Sequence, residues 1–466
     1  MAFFNRQDEI DVLGRAFDEA PALFVLYGRR RVGKTALLRQ VCRERRHVFM
    51  TADLGTSRDH LRGFAESLAR GLGEEEWNEV RFPGWEQALR FCIRRAQDEP
   101  LVIVLDEFQH LVGAEPALAS ILQRLWDDEI QDSKLSLVLC GSYVSFMERE
   151  VLGVRNPLYG RRTGQLKLRP LAARHAALFF ESWPADQRME ALGVLGGIPA
   201  YLRLFQPQQS LKANIRRVIL ESGAPLLEEP RFLMMEEVRE PLVYFSICRA
   251  LAHGRNTPND IAQASGLPRG NIHQFLQTLR GLSLVERRVP VNIRNPERTR
   301  RSLYRLQDAF LRFWFRFVWP NRTALEAGDA ELVWRRKIEP HLAQQVADVF
   351  EDASAEMLRQ HNRQGLLPAE YDRIGPWWRG NSEVDIVAVA DDGPLLLGEC
   401  KWSTKKVGIN VLEQLSQKAA AVAADLERAP TRVDFALFSR AGFTPGLERE
   451  AASRRARLFT IDDVLA

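Results

Sequence analysis

Residues 28–35 of this 466-residue chain read GRRRVGKT, a full match to the pattern G-x-x-x-x-G-K-[ST]. An apolar run precedes the pattern and a helical segment at residues 35–41 follows it. The glycines let backbone N–H groups converge on phosphate oxygens, and the helix N-terminus adds its positive end. We expect Lys34 to reach the β- and γ-phosphates and the Thr35 hydroxyl to bind Mg²⁺. The predicted ATP contacts on this loop are Gly28, Arg31, Val32, Gly33, Lys34, Thr35 and Ala36.

Two carboxylates follow another apolar run, LVIVLD at residues 101–106. A carboxylate at the end of a buried strand beside a phosphate loop can hold Mg²⁺, and a second can polarise the attacking water. We assign Asp106 to the metal and Glu107 to the water. The alternative is two solvated acids after a strand.

A third set of chemically capable residues lies near the C-terminus, in EVDIV (383–387) and LGECK (397–401). Their alternation predicts two strands, and the link DDG at 391–393 suits a hairpin. This link sets residue 390 opposite 394, so Asp385 falls opposite Glu399 and shares a face with it and with Lys401. Like charges directly opposite are unfavourable, so we expect a cation, Mg²⁺ or Mn²⁺, between the carboxylates. Lys401 would orient a water or offset charge on a scissile phosphate.

Basic residues concentrate between positions 280 and 305, where eight arginines stand against two glutamates. Such an excess can contact phosphates. The predicted nucleic-acid contacts are Arg287, Arg288, Arg298, Arg300 and Arg301 here and Arg269 on a preceding recognition helix. The alternative is a solvated wing, or one that packs against the rest of the protein or another subunit.

The elements that position these residues predict an α/β protein. Apolar runs at 22–27, 47–52, 101–106 and 135–141 alternate with helical patterns, as in a parallel sheet buried on both faces. We predict five regions: a P-loop core with a parallel sheet (1–170), for which the resemblance described next implies an AAA-like fold, a helical lid (171–237), a winged helix (238–308), an aromatic helical connector (309–340) and a C-terminal α/β block (341–466). We expect the connector aromatics to be buried between domains with the arginine heads reaching the surface; base stacking is the alternative.

The order of motifs over residues 1–235 resembles the archaeal-type ATPases, P-loop proteins of the AAA+/STAND superfamily. The matching segments are FFNRQDEIDVL, GRRRVGKT, LVIVLDEFQHL, LVLCGSYVSFM, LYGRRTG and GGIPAYL. The resemblance implies that residues 4–9, with Asn5 and Arg6, lie near the adenine, and that Ser142 is a sensor-like group near the γ-phosphate. It also implies that Arg161 or Arg162 is an arginine finger, acting in trans in a homo-oligomer that ATP would control. A strand-end cap (Ser142) and a solvated turn (the arginines) are the alternatives.

The D-x13-E-x-K spacing resembles the PD-(D/E)xK restriction-endonuclease-like superfamily over about residues 340–466, including Holliday-junction resolvases and the nuclease domains appended to archaeal-type ATPases. The Pro-Asp dipeptide of that name is absent here. The resemblance implies a further acid, Glu351, on the helix before the hairpin, and makes Gln414 a peripheral candidate. A fold without catalysis, or a salt-bridged hairpin, is the alternative.

Composition narrows the class of protein. The net charge of +4 from 65 basic and 61 acidic residues excludes a histone-like polycation, and five scattered cysteines argue against a disulfide framework or zinc ribbon. With no secretory signal and no membrane-length apolar run visible, we expect a cytoplasmic protein without membrane partners. The hypothesis is an ATP-controlled, Mg²⁺-dependent nuclease that acts in defence or repair. DNA is the first candidate substrate and RNA the second. The alternatives are a nucleotide-dependent switch or scaffold that does not cleave, and then a transcriptional regulator.

Overall fold

The computed structural model describes residues 5–75, 80–154, 156–391, 393–427 and 432–466. The chain divides into two units, Met1–Pro170 and Leu171–Ala466. Within the described ranges, no helix is both long and apolar enough to cross a membrane.

The first unit is built on a parallel five-stranded sheet. Its strands are β1 (Ala22–Tyr27), β2 (His47–Thr51), β3 (Leu101–Asp106), β4 (Leu135–Gly141) and β5 (Gly164–Lys167). Their order is β2-β3-β4-β1-β5, and every residue of β1, β3 and β4 is buried. The four predicted strands are confirmed. The fifth, GQLK, was not predicted because it is short and carries a single large apolar residue.

Helices connect and cover these strands. They are α1 (Gln7–Asp18), α2 (Lys34–Cys42), α3 (Ser57–Leu72), α4 (Trp85–Arg95), α5 (Phe108–Ala114), α6 (Leu118–Asp128) and α7 (Val144–Phe146). Since the strands are parallel, the carboxyl ends of β1, β3 and β4 share one edge of the sheet. The phosphate loop, Asp106 with Glu107, and Ser142 follow those three ends and therefore meet there.

The second unit begins with short helices and a winged helix. The first group is α8 (Ala173–Ala177), α9 (Ala185–Leu195), α10 (Pro199–Leu202), α11 (Leu211–Ile215) and α12 (Glu229–Glu237). The winged helix follows as α13 (Pro241–Ala252), α14 (Pro258–Ser265), α15 (Ile272–Gly281), β6 (Val285–Arg288) and β7 (Leu303–Leu306). The antiparallel β6–β7 pair and the loop that joins it, residues 285–306, are called the wing below. All five elements lie within residues 238–308.

The aromatic connector contains α16 (Ala309–Phe313), α17 (Arg322–Glu326) and α18 (Ala330–Val333), with π-helical turns at Trp314–Val318 and Trp334–Ile338. Its aromatic side chains are buried as predicted: Phe310, Phe313 and Phe315 are each 0% exposed. One detail of the prediction is wrong. The head of Arg312 does not reach the surface but lies 3.7 Å from Asp352, because an acidic helix packs there.

The C-terminal block is a mixed five-stranded sheet flanked by helices. Its elements are α19 (Leu342–Arg363), β8 (Arg373–Arg379), β9 (Ser382–Val389), β10 (Leu395–Lys401), α20 (Ile409–Asp425), β11 (Val433–Ser439), α21 (Pro445–Ala451), β12 (Ala456–Thr460) and α22 (Ile461–Leu465). The order is β12-β11-β10-β9-β8, antiparallel from β8 to β10 and parallel from β10 to β12. Strand β8 is therefore an edge strand.

The wing covers this edge. The N–H of Val291 donates to the carbonyl of Pro376 on β8 (2.9 Å), and Arg373 donates back to the carbonyl of Val291 (2.8 Å). Arg301 donates through Nη1 and Nη2 to both carboxylate oxygens of Asp425, at 3.1 to 3.3 Å. Asp425, only 10% exposed, also accepts from Trp377 Nε1 (2.9 Å). The wing and the C-terminal sheet are thus joined by backbone and ionic contacts.

We predict that Asp425→Asn loosens this junction by about 2 kcal/mol, since it removes the charge that Arg301 faces in a mostly buried site. The amide of Val291 is then expected to exchange with solvent about 30-fold faster in hydrogen-exchange experiments. Glu427→Gln, two residues further on, serves as the control. Unchanged exchange at Val291 in Asp425→Asn would show that the ion pair contributes little.

Candidate functional site

The phosphate loop has the backbone that its glycines permit. Gly28 has φ +156° and Gly33 has φ +101°, in the region that favours glycine. A Cβ at Gly28 would lie 2.4 Å from the carbonyl oxygen of Leu168, so no larger residue fits there. The side chain of Val32 is fully buried, and Ala36 lies in the first turn of α2. These two residues can therefore offer the phosphates only their backbone.

Lys34 and Thr35 lie where the motif predicts them. Lys34 is buried, and its Nζ donates to the carbonyls of Gly28 (2.9 Å) and Arg29 (3.1 Å), across the concavity of the loop. The Thr35 hydroxyl donates to Oδ2 of Asp106 (2.8 Å). The two predicted Mg²⁺ ligands of this site are therefore neighbours, and both carry the oxygen donors that Mg²⁺ prefers.

Glu107 is held firmly beside them. It has φ +54° at the start of α5, and its Oε2 accepts hydrogen bonds from Ser142 and from Gln109 Nε2 (2.7 Å). Burial raises the pKa of Glu107, but these hydrogen bonds and the nearby charge of Lys34 outweigh burial and leave the pKa below its ordinary value. A charged carboxylate that accepts hydrogen bonds suits the orientation of water. Ser142 contacts this carboxylate, which the sequence did not indicate.

The N-terminal segment supports the loop from behind. Arg6 is buried and donates through Nη2 to the carbonyls of Val32 (3.3 Å) and Arg169 (2.8 Å). Asn5 accepts a hydrogen bond from the N–H of Gln7 (3.3 Å). Phe4, the first residue of the segment predicted near the adenine, lies outside the described residues. The geometry gives Arg6 a role in fixing the phosphate loop; a contact of Asn5 or Arg6 with the base stays a prediction.

Both candidate finger arginines have partners within their own unit. Arg161 donates to both carboxylate oxygens of Asp127 (2.8 and 3.0 Å through Nε) and to the carbonyl of Pro157 (3.0 Å). Arg162 donates to the carbonyl of Leu152 (3.1 Å), and its guanidinium carbon lies 5.5 Å from the ring centre of Tyr159. A finger action would require one of these contacts to open.

We predict that Arg161→Ala or Arg162→Ala lowers ATP hydrolysis at least about 10-fold, because a finger arginine stabilises charge on the transferring phosphoryl group. Steady-state phosphate release measures this. Asp127→Asn is the informative control, because it frees Arg161 without removing its charge, and hydrolysis should be kept or increased. Unchanged rates in both alanine variants would exclude a finger role for these residues.

The C-terminal hairpin has the predicted register. Leu395 pairs with Val389 and Gly398 with Ile386, so the next positions, Glu399 and Asp385, are opposite each other. Oδ2 of Asp385 accepts the N–H of Cys400 (2.8 Å), which fixes the carboxylate against β10. The register prediction is confirmed, and the hairpin therefore sets two carboxylates side by side.

The charges of this site favour a bound cation. Burial, together with the charge of Glu399, raises the pKa of Asp385 to about 6. Burial, together with the charge of Asp385, raises the pKa of Glu351 on α19 to about 8. Over the described part of the chain, however, no three His, Cys, Asp or Glu side chains converge closely enough to hold a metal. Mg²⁺ usually keeps several waters and takes one or two carboxylates, so Asp385 and Glu399 suit it and Glu351 stays a predicted ligand.

Two lysines face one carboxylate. Lys401 Nζ lies 2.6 Å from Oε1 of Glu399, and Lys418 Nζ on α20 lies 3.4 Å from Oε2. Lys401 was predicted at this site; Lys418 was not. The available signal was its spacing of four residues from Gln414, which places both on one face of the helix. We name the group of Asp385, Glu399, Lys401 and Lys418 the carboxylate site.

We predict that Lys418→Met lowers metal-dependent cleavage about 10-fold and makes its salt dependence shallower by about one counterion, as expected for a lost phosphate contact. Single-turnover rates at several salt concentrations measure both effects. Lys405→Met, in the exposed loop after β10, is the matched control. An unaltered salt slope in Lys418→Met would assign Lys418 to fixing Glu399 alone.

The wing arginines divide into two groups. Arg287 donates to the carbonyls of Pro296 (2.7 Å) and Thr299 (2.6 Å), and Arg301 is held by Asp425. For these two, the geometry favours the alternative that the wing makes protein contacts, because protein acceptors already hold each guanidinium. The side chains of Arg269, Arg298 and Arg300 are exposed, and Arg288 is half-buried on β6. Nucleic-acid contact by these four stays a prediction.

Three protein families match parts of the chain. An ATPase domain predominantly from Archaea matches residues 3–205, which contain the phosphate loop, Asp106 and Glu107. An IclR helix-turn-helix domain matches residues 244–289, which end at the wing. A family of archaeal and bacterial proteins of unknown function matches residues 314–417, from the aromatic connector to α20.

Similar proteins and structures were also found over longer parts of the chain. An uncharacterised protein of Methanocaldococcus jannaschii is 31% identical over 408 residues, covering 87% of this chain and 88% of that protein. The structure of a Walker-type ATPase of Pyrococcus abyssi matches with a TM-score of 0.51 and 20% identity, over 67% of this chain and 96% of its own. The ORC2 protein of Aeropyrum pernix matches with a TM-score of 0.43 and 14% identity, over 70% of this chain and 95% of its own. The Pyrococcus likeness concerns the fold.

Proposed function

Because the chain belongs to the family of ATPases that occurs predominantly in Archaea, we propose that it hydrolyses ATP and thereby controls a Mg²⁺-dependent nuclease. The nuclease would act on nucleic acid, with DNA as the first candidate substrate and RNA as the second. The observation that carries the nuclease half is the β9–β10 register, which sets Asp385 beside Glu399 with Lys401 on the same strand. The proposal is also supported by the presence of the nucleotide site, the winged helix and the carboxylate site in one chain.

At the nucleotide site, each residue has a distinct task. The loop N–H groups and Lys34 would bind the phosphates, and Thr35 with Asp106 would hold Mg²⁺, which would supply positive charge beside the phosphates. Glu107 stays ionised because Ser142 and Gln109 donate to it, and it orients the attacking water by accepting its hydrogen bond. Arg6 keeps the loop in place through the carbonyl of Val32.

At the carboxylate site, the chain supplies ligands and positive charge. A Mg²⁺ or Mn²⁺ ion held by Asp385 and Glu399 would polarise a phosphate oxygen and lower the pKa of a bound water. Lys401 and Lys418, which pair with Glu399 in this structure, would turn to the phosphate when the carboxylate takes up the metal. A water oxygen would attack phosphorus in line, so that a new P–O bond forms as the bond to the leaving oxygen breaks. The attacking water would release its proton to solvent, and the leaving oxygen would take a proton from water or Lys401.

A contact chain supports control of this site by the region before the winged helix. Arg440, which follows β11, pairs with Asp186 (2.9 Å) and Glu190 (3.1 Å) on α9. Its guanidinium carbon lies 4.7 Å from the ring centre of Trp402, the residue after Lys401. A displacement of α9 would therefore shift Arg440 and, through it, Trp402 at the end of β10.

The test is cleavage of labelled single- and double-stranded DNA and RNA with Mg²⁺ or Mn²⁺, with and without ATP. Wild type, Lys34→Ala and Glu399→Ala are compared, with Glu413→Ala on the exposed side of α20 as control. Cleavage that is lost in Glu399→Ala and kept in Glu413→Ala would establish the nuclease, and the Lys34→Ala lanes would show whether ATP controls it. ATP hydrolysis without any cleavage would reject the nuclease.

The second candidate is a nucleotide-dependent switch or scaffold that binds nucleic acid or a protein without cutting it. The commitment of Arg287 and Arg301 to protein contacts favours it, since a wing fixed to a sheet acts as a structural brace. A transcriptional regulator that uses the helix-turn-helix comes third. Binding to nucleic acid without cleavage, altered by ATP, would favour the switch.

A further inference from the structure

An ionic cluster joins the wing to helix α19. Arg305 on β7 donates to Glu286 on β6 and to Asp352 on α19, and its side chain is only 19% exposed. Asp352 also lies 3.7 Å from Arg312. This cluster sets one face of the β6–β7 ribbon against the helix that carries Glu351.

Strand alternation places Arg288 on that same face. In the β6–β7 pair, Glu286 is opposite Arg305 and Arg288 is opposite Leu303, so positions 286 and 288 point to the same side. Arg287 points to the other side, where it donates to the wing carbonyls. Arg288 is therefore directed towards α19, as Arg305 is.

The acids on α19 that meet this face continue into the carboxylate site. Asp348, Glu351 and Asp352 are spaced at helical i, i+3 and i+4, so they share one side of α19. Helix α19 also packs against β9 and β10, the two strands that carry Asp385 and Glu399. The guanidinium of Arg288 makes no hydrogen bond or ion pair with a described residue, whereas Arg287, Arg301 and Arg305 all do.

We propose that the wing supplies Arg288 to the carboxylate site as a residue that binds a backbone phosphate of the nucleic acid. This rests on the proposed nuclease function. A guanidinium without a fixed partner, beside several carboxylates, offers a planar fork for phosphate once a metal has reduced the negative charge. The wing is fixed to β8 through Val291 and to α20 through Arg301, so Arg288 is held in place. The site is accordingly built from two separate parts of the chain, the wing and the C-terminal block.

The experiment compares wild type, Arg288→Ala, Arg288→Lys and, as matched control, Arg294→Ala, an exposed wing arginine that is not among the predicted nucleic-acid contacts. Single-turnover cleavage of labelled DNA and Mn²⁺ binding to the nucleotide-free protein are measured on each. We expect Arg288→Ala to slow cleavage about 10- to 100-fold and Arg288→Lys to recover part of the rate, because lysine keeps the charge but not the fork. Arg294→Ala should stay within about two-fold of wild type.

Mn²⁺ binding separates phosphate contact from structural support. Arg288→Ala should bind Mn²⁺ several-fold more tightly, because a positive charge beside the carboxylates is gone. Weaker Mn²⁺ binding in parallel with slower cleavage would make Arg288 a structural residue and overturn the inference. Equal cleavage by Arg288→Ala and Arg294→Ala would overturn it as well. If wild type neither binds Mn²⁺ nor cuts, the proposed nuclease function itself fails.

Discussion

Glu107→Gln is expected to reduce ATP hydrolysis at least about 100-fold while ATP binding is retained. The amide keeps the shape of the carboxylate and can still accept from Ser142 and Gln109, but it can no longer polarise the attacking water. Loss of a positioned base costs about 10²- to 10⁴-fold in rate. Phosphate release gives the rate, and fluorescent-nucleotide titration gives the affinity.

The matched control is Glu115→Gln, the same chemical change at the far end of α5. Glu115 accepts a hydrogen bond from Ser57 (3.1 Å) and lies away from the phosphate loop, so hydrolysis should be close to wild type. If Glu107→Gln still hydrolyses ATP at a tenth of the wild-type rate or more, another group orients the attacking water.

The second large effect is expected from Asp385→Asn, which should lower metal-dependent cleavage about 1000-fold. The asparagine Oδ1 can still accept the N–H of Cys400, so the strand pairing is kept while the negative charge at the metal is lost. A metal interaction worth about 4 kcal/mol in the transition state corresponds to this factor. Single-turnover cleavage and Mn²⁺ affinity should both fall.

Glu383→Gln is the control for this variant. Glu383 is exposed on the same strand, opposite Trp378, and its carboxylate raises the pKa of Asp385 only as the smallest of several causes. Cleavage by Glu383→Gln should stay within a few-fold of wild type, and ATP hydrolysis should be unaltered in both variants. Equal losses in the two would indicate a general effect of charge on this strand.

The parallel sheet and the hairpin register could be predicted from sequence because local patterns determine them. Continuous apolar runs such as LVIVLD are typical of strands buried on both faces, and the three-residue link fixed which residues of β9 and β10 oppose each other. The proximity of the phosphate loop to Asp106 could be predicted because both follow strand ends that meet at one edge of the sheet. The contact of Ser142 with Glu107 depends on side-chain directions that no spacing encodes.

The basic wing shows where sequence reasoning stops. Charge counting cannot distinguish an arginine that awaits a phosphate from one that already has a partner. Arg301 is committed to Asp425, 124 residues away along the chain, and Arg287 to backbone carbonyls of its own loop. Lys418 was missed for a similar reason, since the approach of α20 to Glu399 is a tertiary contact.

Because the wing covers the edge strand β8, the wing and the C-terminal sheet are expected to be inherited together. An uncovered edge strand invites pairing with other chains, so a C-terminal sheet cut away from the wing would tend to aggregate. Recombination that separates the wing from the C-terminal sheet would also leave Asp425 and Arg301 without their ion-pair partners. The smallest piece that could be transferred between proteins with this junction intact therefore runs from α13 to α22, so that the winged helix and the sheet are exchanged together.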